Sequence, residues 1–334
     1  MASVVVEEGT FALKDGKSLY TKTWKPADGD IKARVVLLHG FNDHCSNYEH
    51  FCTTLATHGI AVYGYDQRGW GRSVASSQER GRGGSTAVIL DDLTQFLERL
   101  IAEDRATPIF LKGHSMGGGI ALTYAALSPP HIAPHIHGYI LNAPLLVLHP
   151  KSAPPAFLQR VLALASRVLP NLALPQKIPP EIVSRDPEVQ RQFVEDKLGH
   201  GIGTAEGLWG MLERGKALVE GKVRVPASVG VWVGHGTGDE LTSWEASRKW
   251  VEEVFGEAGQ AELRLYEGWR HRLHVEPGED KTMFAKDVVG WIFKRGEGGK
   301  EAVGSSSVVA AAGDGDGAEE GQGTVEEAGK KAKL

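Results

Sequence analysis

The sequence predicts an α/β protein: a mostly parallel central sheet flanked by helices, with an inserted helical cap. Three observations carry that expectation. Short apolar runs alternate with segments of helical periodicity through residues 33–142 and again through 228–294, the signature of strands joined by crossover helices. The runs are continuous rather than alternating, as expected of strands covered on both faces. Between 144 and 223 the alternation stops, and prolines and helical spacing take over with no convincing strand. The chain therefore divides into a core built from 1–143 and 224–295, a cap of 144–223, and a tail of 296–334.

Residues 4–13 and 18–24 read as two strands joined by Lys14-Asp-Gly-Lys17, a strong hairpin signal. Residues 33–38 form an apolar run that ends in His39-Gly-Phe-Asn-Asp-His44. A helix over 49–58 leads to a strand at 60–65, and Asp66-Gln-Arg-Gly-Trp-Gly-Arg-Ser73 follows as a polar, glycine-rich loop. Leu90, Leu93, Phe96, Leu97 and Leu100 place a helix over 87–103. Residues 109–111 give the next buried strand, 118–127 the helix after it, and 137–142 a further strand. In the cap, Phe157, Leu158, Val161, Leu162, Ala165, Val168 and Leu169 form an apolar stripe at helical spacing, widened by Leu164, while Arg160 and Arg167 share another face. The alternation resumes with a strand at 228–233, a helix over 244–255, a strand at 262–266 and a last helix over 281–294. Beyond 295 large apolar residues almost vanish, and the tail is expected to be disordered.

At 334 residues, 41% hydrophobic and 24% charged, the chain can bury a substantial core. The net charge is −5, and from Glu297 onward eight acidic and four basic residues account for −4 of it. A nearly neutral body argues against nucleic acid as the main partner. Cys45 and Cys52 lie seven apart with no metal-ligand pattern, which fits a reducing compartment better than a disulfide framework. The first residues lack the basic segment and long apolar run of a signal peptide, so none is expected. No stretch of about 20 apolar residues calls for a membrane span.

Gly113-His-Ser-Met-Gly117 fits G-x-S-x-G, set between a strand and a helix. Ser115 must then sit on a sharp, strained turn that lifts its hydroxyl above the sheet edge, so its neighbours two residues away must be very small. A serine hydroxyl is a poor nucleophile at neutral pH; it needs a base, and the base needs an orienting carboxylate. On a sheet of this kind the partners follow on loops after later strands, in the order serine, acid, histidine. Asp239, in His235-Gly-Thr-Gly-Asp-Glu240, is the expected acid, with Glu240 second. His271, in Tyr266-Glu-Gly-Trp-Arg-His-Arg-Leu-His274, is the expected base, with His274 its rival. His114 should point away from the chemistry. Attack on an ester creates an oxyanion, and the expected donors to it are the backbone N–H groups of Met116 and Phe41. Asp43, His44 and Arg68 either brace these loops or lie as surface charges. Nothing calls for a cofactor or a metal.

Together these blocks resemble the monoacylglycerol lipase family of α/β-hydrolases. The matching pieces are His39-Gly-Phe-Asn-Asp-His44, Asp66-Gln-Arg-Gly-Trp-Gly-Arg-Ser73, Gly113-His-Ser-Met-Gly-Gly118 and Asn142-Ala-Pro-Leu145. To these add Leu169-Pro-Asn-Leu172, Ser184-Arg-Asp-Pro-Glu188, His235-Gly-Thr-Gly-Asp239 and Tyr266-Glu-Gly268 with His271. The two blocks within the cap are the more specific ones. The resemblance implies the α/β-hydrolase fold and a serine hydrolase that releases fatty acid and glycerol from monoacylglycerols without a cofactor. It also implies a cap that forms an apolar acyl channel and touches membranes or lipid droplets. Phe157, Leu158, Val161, Leu162 and Phe193 are the cap residues expected to bind substrate. A broader esterase, lysophospholipase or acyltransferase would use the same triad, whereas a non-catalytic ligand-binding scaffold would usually lack one of its members.

The chain departs from the family pattern at three places. Phe193…Asp196-Lys-Leu198 stands where the family has Tyr…Asp-Pro-Leu, and Gly199-His-Gly-Ile-Gly203 is expected to be unusually flexible. The small residue after His-Gly is here Phe41, which keeps its amide but narrows the site. The stripe with flanking Arg160 and Arg167 suits a lipid surface; the alternative packs it on the core. Ala332-Lys333-Leu334 resembles the Ser-Lys-Leu address read by the peroxisomal import receptor. The expected location is thus cytoplasmic and peripheral to membranes or lipid droplets, or peroxisomal through that tripeptide.

Overall fold

A computed structural model describes residues 3–255, 260–297 and 308–311. The first two strands, β1 (Val4–Ala12) and β2 (Ser18–Pro26), form an antiparallel hairpin. Its turn is closed by the Leu13 amide donating to the Lys17 carbonyl at 2.7 Å. Next, β3 (Ala33–Leu38) is buried along its whole length. Val36 and Leu38 pack into one hydrophobic core and Val35 and Leu37 into another. A strand with a core on each face has no polar side to show, so its sequence does not alternate.

Past α1 (Glu49–Thr57), β4 (Ile60–Tyr65) pairs with β3 in parallel and with β2 antiparallel. After α2 (Thr86–Glu103), β5 (Ile109–His114) adds to the other side of β3. The chain continues through α3 (Met116–Leu127) to β6 (Ile136–Asn142). Five elements then form the cap: α4 (Ala156–Val168), β7 (Ala173–Pro175), α5 (Pro187–Glu195), β8 (Ile202–Thr204) and α6 (Ala205–Val219). The sheet resumes with β9 (Gly230–Gly236) and, after α7 (Trp244–Lys249) and a wider-turned stretch at Trp250–Phe255, β10 (Gln260–Tyr266). The last helix is α8 (Asp280–Glu297). Strand order is β1-β2-β4-β3-β5-β6-β9-β10, with every pair from β4 to β10 parallel. The order reverses between β3 and β5, and in open sheets of this kind ligands bind in the crevice beyond the strand ends at such a reversal.

Two expectations need correction. The cap is not strand-free: β7 and β8 pair antiparallel, Ala173 with Thr204. The tail is not structureless throughout, because β11 (Val308–Ala311) pairs in parallel with β10 at the sheet edge. Ala332-Lys333-Leu334 lies outside the described residues.

A buried arginine ties the sheet to its connections. Arg34, 3% exposed, donates to the carbonyls of Leu100, Asp104 and Thr107, each at 2.6 Å. These carbonyls belong to the end of α2 and the loop leading into β5, so one side chain fixes where the site-bearing strand begins. Arg34→Met leaves the three acceptors without their charged donor. It is expected to lower stability by about 2–4 kcal/mol, read as a drop in the urea midpoint with an unchanged slope.

Candidate active site

Ser115 joins β5 to α3 at φ 54°, ψ −116° and is 7% exposed. Positive φ is a strained state for a residue with a Cβ, and the surroundings enforce it. The Ser115 carbonyl accepts from the amides of Gly118 (2.9 Å), Gly119 (3.2 Å) and Leu145 (2.9 Å), and its own amide donates to the Asn142 carbonyl at 3.0 Å. The flanking glycines are required by contact distance. A Cβ on Gly117 would lie 2.2 Å from the Leu38 carbonyl oxygen, and one on Gly113 would lie 2.3 Å from that of Gly117. Only bare backbone lets β3, β5 and α3 meet this closely.

Asp239 and His271 come together from the loops after β9 and β10. His271 Nδ1 lies 2.7 Å from Asp239 Oδ2, with both residues buried. The same oxygen accepts from Thr242 Oγ1 at 2.8 Å and meets His235 Nε2 at 3.1 Å, while Oδ1 accepts from the amides of Leu241 (2.7 Å) and Thr242 (3.0 Å). Burial alone would raise the Asp239 pKa, but the charge and hydrogen bonds of His271 and His235 outweigh it and hold the carboxyl far below its ordinary value. An ionised carboxylate only accepts, so His271 Nδ1 carries the proton of this bond.

The rivals lie elsewhere. Glu240 pairs with Lys151 (2.8 Å) and Arg270 (3.5 Å). His274 stacks on Tyr48 with ring centroids 4.1 Å apart and meets Asn142 Nδ2 through Nδ1 at 3.0 Å. Burial pushes its pKa well below the usual histidine value.

Asp43, His44 and Arg68 are braces rather than surface charges. Asp43 is 1% exposed and accepts from Tyr48 Oη (2.6 Å), Asn47 Nδ2 (2.7 Å) and the His44 amide (3.0 Å), with Arg272 at 3.4 Å. It thereby joins the loop after β3 to the loop carrying His271. His44 Nε2 meets Asp196 Oδ2 of the cap at 3.0 Å. Arg68 holds Asp92 through two bonds of 2.9 Å and Asp15 at 2.8 Å. His114 is turned away from Ser115: its Nδ1 lies 2.9 Å from Tyr48 Oη, and its Nε2 faces the His271 carbonyl at 3.4 Å. Its ring is 4.8 Å from that of His271.

Both expected oxyanion donors border the serine. Met116 is the first residue of α3. A Cβ on Gly40 would lie 3.2 Å from Ser115 Cβ, which places the Gly40–Phe41 backbone against the nucleophile. Phe41 packs edge-on to Trp70 at 4.8 Å, so its bulk is taken up beside the cleft.

Ser115, Phe41 and Thr242 line a cavity of about 670 Å³ that runs beneath the cap. Of the cap residues expected to bind substrate, Leu158, Val161 and Leu162 line it; Phe157 and Phe193 do not. Phe157 is 64% exposed, and Phe193 lies against the Arg272 guanidinium 4.9 Å away. Leu145, Met211 and the loop at 176–179 form further parts of the wall. The sequence reading missed them because a wall assembled from separate elements has no periodicity. Thr242 was missed as well, although it lies only three residues beyond the predicted acid. The glycine-rich segment at 199–203, expected to be flexible, is instead anchored. His200 stacks on Trp70 at 4.7 Å, the Gly201 amide donates to Asn42 Oδ1 at 2.6 Å, and Gly201 O accepts from Gln176 at 2.6 Å.

The cap also supports the base. The Arg272 amide donates to the Val183 carbonyl at 2.8 Å, and the His271 amide to that of Ile182 at 3.4 Å. Ser184 Oγ donates to the Val275 carbonyl at 3.1 Å, and Arg185 Nε to Glu276 Oε2 at 2.9 Å.

A parallel sheet with a strained serine after β5, and an acid–histidine pair on the loops after β9 and β10, defines an α/β-hydrolase. The family model described as serine aminopeptidase, S33 matches residues 29–278. A monoacylglycerol lipase of Mycolicibacterium smegmatis is 31% identical over 306 residues, covering 87% of this chain and 99% of that protein. A monoglyceride lipase of Rattus norvegicus is 29% identical, covering 84% and 88%. The crystal structure of a soluble variant of the Saccharomyces cerevisiae monoglyceride lipase with a substrate analog superposes with a TM-score of 0.80. It is 24% identical and covers 87% of this chain and 96% of the yeast chain. The chain belongs to the monoacylglycerol lipase family.

The buried histidine beside the serine gives a pH signature. Burial lowers the His114 pKa to about 3, against 6.5 for the free group. Between those values the unfolded chain binds a proton that the folded one refuses, so stability rises with pH across the window and is lost on acidification. His114→Asn is expected to remove a slope of about 1.4 kcal/mol per pH unit, measured as unfolding free energies of both proteins from pH 6 to pH 4.

Proposed function

We propose that this protein hydrolyses monoacylglycerols to free fatty acid and glycerol through an acyl-serine formed on Ser115. The observation that carries the reading is the 2.7 Å Asp239–His271 pair, buried beside a strained serine that opens into a largely apolar cavity. With Nδ1 committed to Asp239, His271 Nε2 is the ring nitrogen left to take the Ser115 proton as Oγ attacks the ester carbonyl. Asp239 then stabilises the imidazolium, and the amides of Phe41 and Met116 hold the oxyanion. When the intermediate collapses, the carbonyl–oxygen bond to glycerol breaks and the leaving oxygen takes the proton from His271. Water, deprotonated by the same nitrogen, attacks the acyl-serine and releases the acid, restoring Ser115.

The substrate class rests on the named activities of the relatives and on the cavity. Its volume of about 670 Å³ falls within the range of about 300–1,000 Å³ usual for small-molecule sites, and a single acyl chain suits its apolar wall. Assay of mono-, di- and triacylglycerols of one chain length is expected to show strong preference for the monoester. Ser115→Ala is expected to lose about 10⁴-fold or more in rate. A variant within tenfold of the parent would overturn the assignment.

The substrate is delivered from a lipid surface in this reading, through the outer face of α4. Phe157, Leu164 and Val168 are 63–66% exposed, with Arg160 and Arg167 exposed beside them. An apolar face with flanking cations is the pattern of an interfacial helix. Leu164→Glu with Val168→Glu is expected to cut sedimentation with anionic vesicles severalfold, while turnover of monomeric short-chain monoester stays within about twofold. Equal sedimentation of the two proteins would count against this face.

A further inference from the structure

A single layer of side chains separates the cavity beneath the cap from a second space on the outside of the molecule. This outer groove, of about 340 Å³, lies between the loop after β6 and the flanks of α4 and α6. Leu148 of the loop and Leu212 of α6 line both spaces. Around them the three elements turn neighbouring residues to opposite sides. Leu158 on α4 and Met211 on α6 line the cavity, whereas Gln159 and Glu213 line the groove. In the loop, Pro154 lines the cavity and Ala153 the groove. A wall whose successive residues face opposite ways is one side chain thick.

The backbone behind this wall is fixed. Leu148 forms an isolated bridge with Thr242, flanked by the His149 amide donating to the Leu241 carbonyl at 3.0 Å and the Ser243 amide to the Val147 carbonyl at 2.9 Å. Gln159 Nε2 donates to the Pro154 carbonyl at 2.9 Å and ties α4 to the loop. One turn beyond Leu212, α6 presses on the same loop at Gly215, where a Cβ would lie 2.2 Å from the Leu146 carbonyl oxygen. The thickness of the partition is therefore set by the two leucine side chains. On its far side the groove offers Leu146, Trp209 and Val219, with Glu213, Lys216 and Glu220 exposed along it. Apolar surface on both sides of an apolar partition suits one hydrocarbon chain.

We propose that Leu148 and Leu212 set the longest chain the cavity accepts by closing it against the groove, and that the groove receives the end of a longer chain once the two side chains are cut back. This rests on the reading of the cavity as the acyl site. A chain too long for the cavity must compress against a wall that its backbone cannot move, and a misfit of one methylene changes kcat/KM by about 10–200-fold. The selected substrate class is thus a monoester whose acyl chain ends at this partition.

The test measures kcat/KM of the full chain for saturated monoacylglycerols of increasing length. The parent is expected to show a sharp fall at one length. Leu148→Ala with Leu212→Ala is expected to raise the rate on the first rejected chain, relative to the preferred one, by about tenfold or more. Ala153 lines the groove and not the cavity, so adding Ala153→Trp fills the groove and is expected to restore the fall. A parent without a fall, an unchanged profile in the double variant, or a shift that Ala153→Trp leaves in place overturns the proposal. Labelling of Ser115 by fluorophosphonates with alkyl chains of increasing length gives the same comparison without an ester. A parent that labels but hydrolyses no monoacylglycerol of any length overturns the proposed function alone, because the labelling rates still report the partition. If the double variant fails to label, Leu212→Val carries the same test with a smaller loss of volume.

Discussion

The turn at Ser115 is the constraint to which the rest of the molecule answers. A residue with a Cβ held at positive φ costs about 1–3 kcal/mol, and it persists only where the surroundings leave no alternative. Here three amides converge on its carbonyl, and Gly117 lets α3 press against the end of β3. Among the described residues the non-glycine positions with positive φ are Asn42, Ser115 and Ala143. They stand in the loops after β3, β5 and β6, so the strain is collected at one edge of three adjacent strands. Asn42 also holds the cap through Gly201, and the Ala143 carbonyl lies 3.2 Å from Oγ1 of Thr242, the residue that braces Asp239. Each strained position thus carries a contact that fixes part of the site.

The electrostatics of the site follow from burial. His114 and His274 are both driven toward the neutral form because an imidazolium cannot be solvated there. Asp43 behaves differently: burial works against its charge, but Arg272 and His114 hold its carboxyl well below the usual range. The proton transferred in the proposed reaction therefore arrives on His271, whose Nδ1 faces the ionised Asp239. A second charged ring 4.8 Å away would oppose that cation, and the core prevents it from forming.

Much of this was legible in the sequence, for physical reasons that can be named. Strands β3 and β5 carry unbroken apolar runs at 35–38 and 109–111 because both of their faces are covered there, and the glycines at 113 and 117 are visible because contact distance forbids anything larger. The choice of Asp239 over Glu240 and of His271 over His274 rested on how far each sits along its loop toward the following helix, and the geometry distinguishes them by what each side chain touches. The cap was harder to read. β7 and β8 are three residues each and pair across an intervening helix, so neither carries a period. The glycines at 199–203 suggested mobility, but a ring stacked on Trp70 and a hydrogen bond to Asn42 fix them, and both partners are more than a hundred positions away. The lining of the cavity was legible only where it fell on α4, and even there Phe157 turned out to face solvent.

The contacts of 182–185 with the loop of His271 redefine what the cap is. A lid in the ordinary sense could be exchanged between relatives at its two junctions with the sheet. In this protein Ile182 and Val183 accept from the backbone of the base loop, and Arg185 closes on Glu276. The segment is thus a splint for catalysis as well as a piece of the roof. A chimera that grafts a foreign cap onto this core would have to carry 182–185 and 270–276 as one unit. The natural seam for recombination lies inside the cap, between α4 and its splint, rather than at the boundary of the insertion.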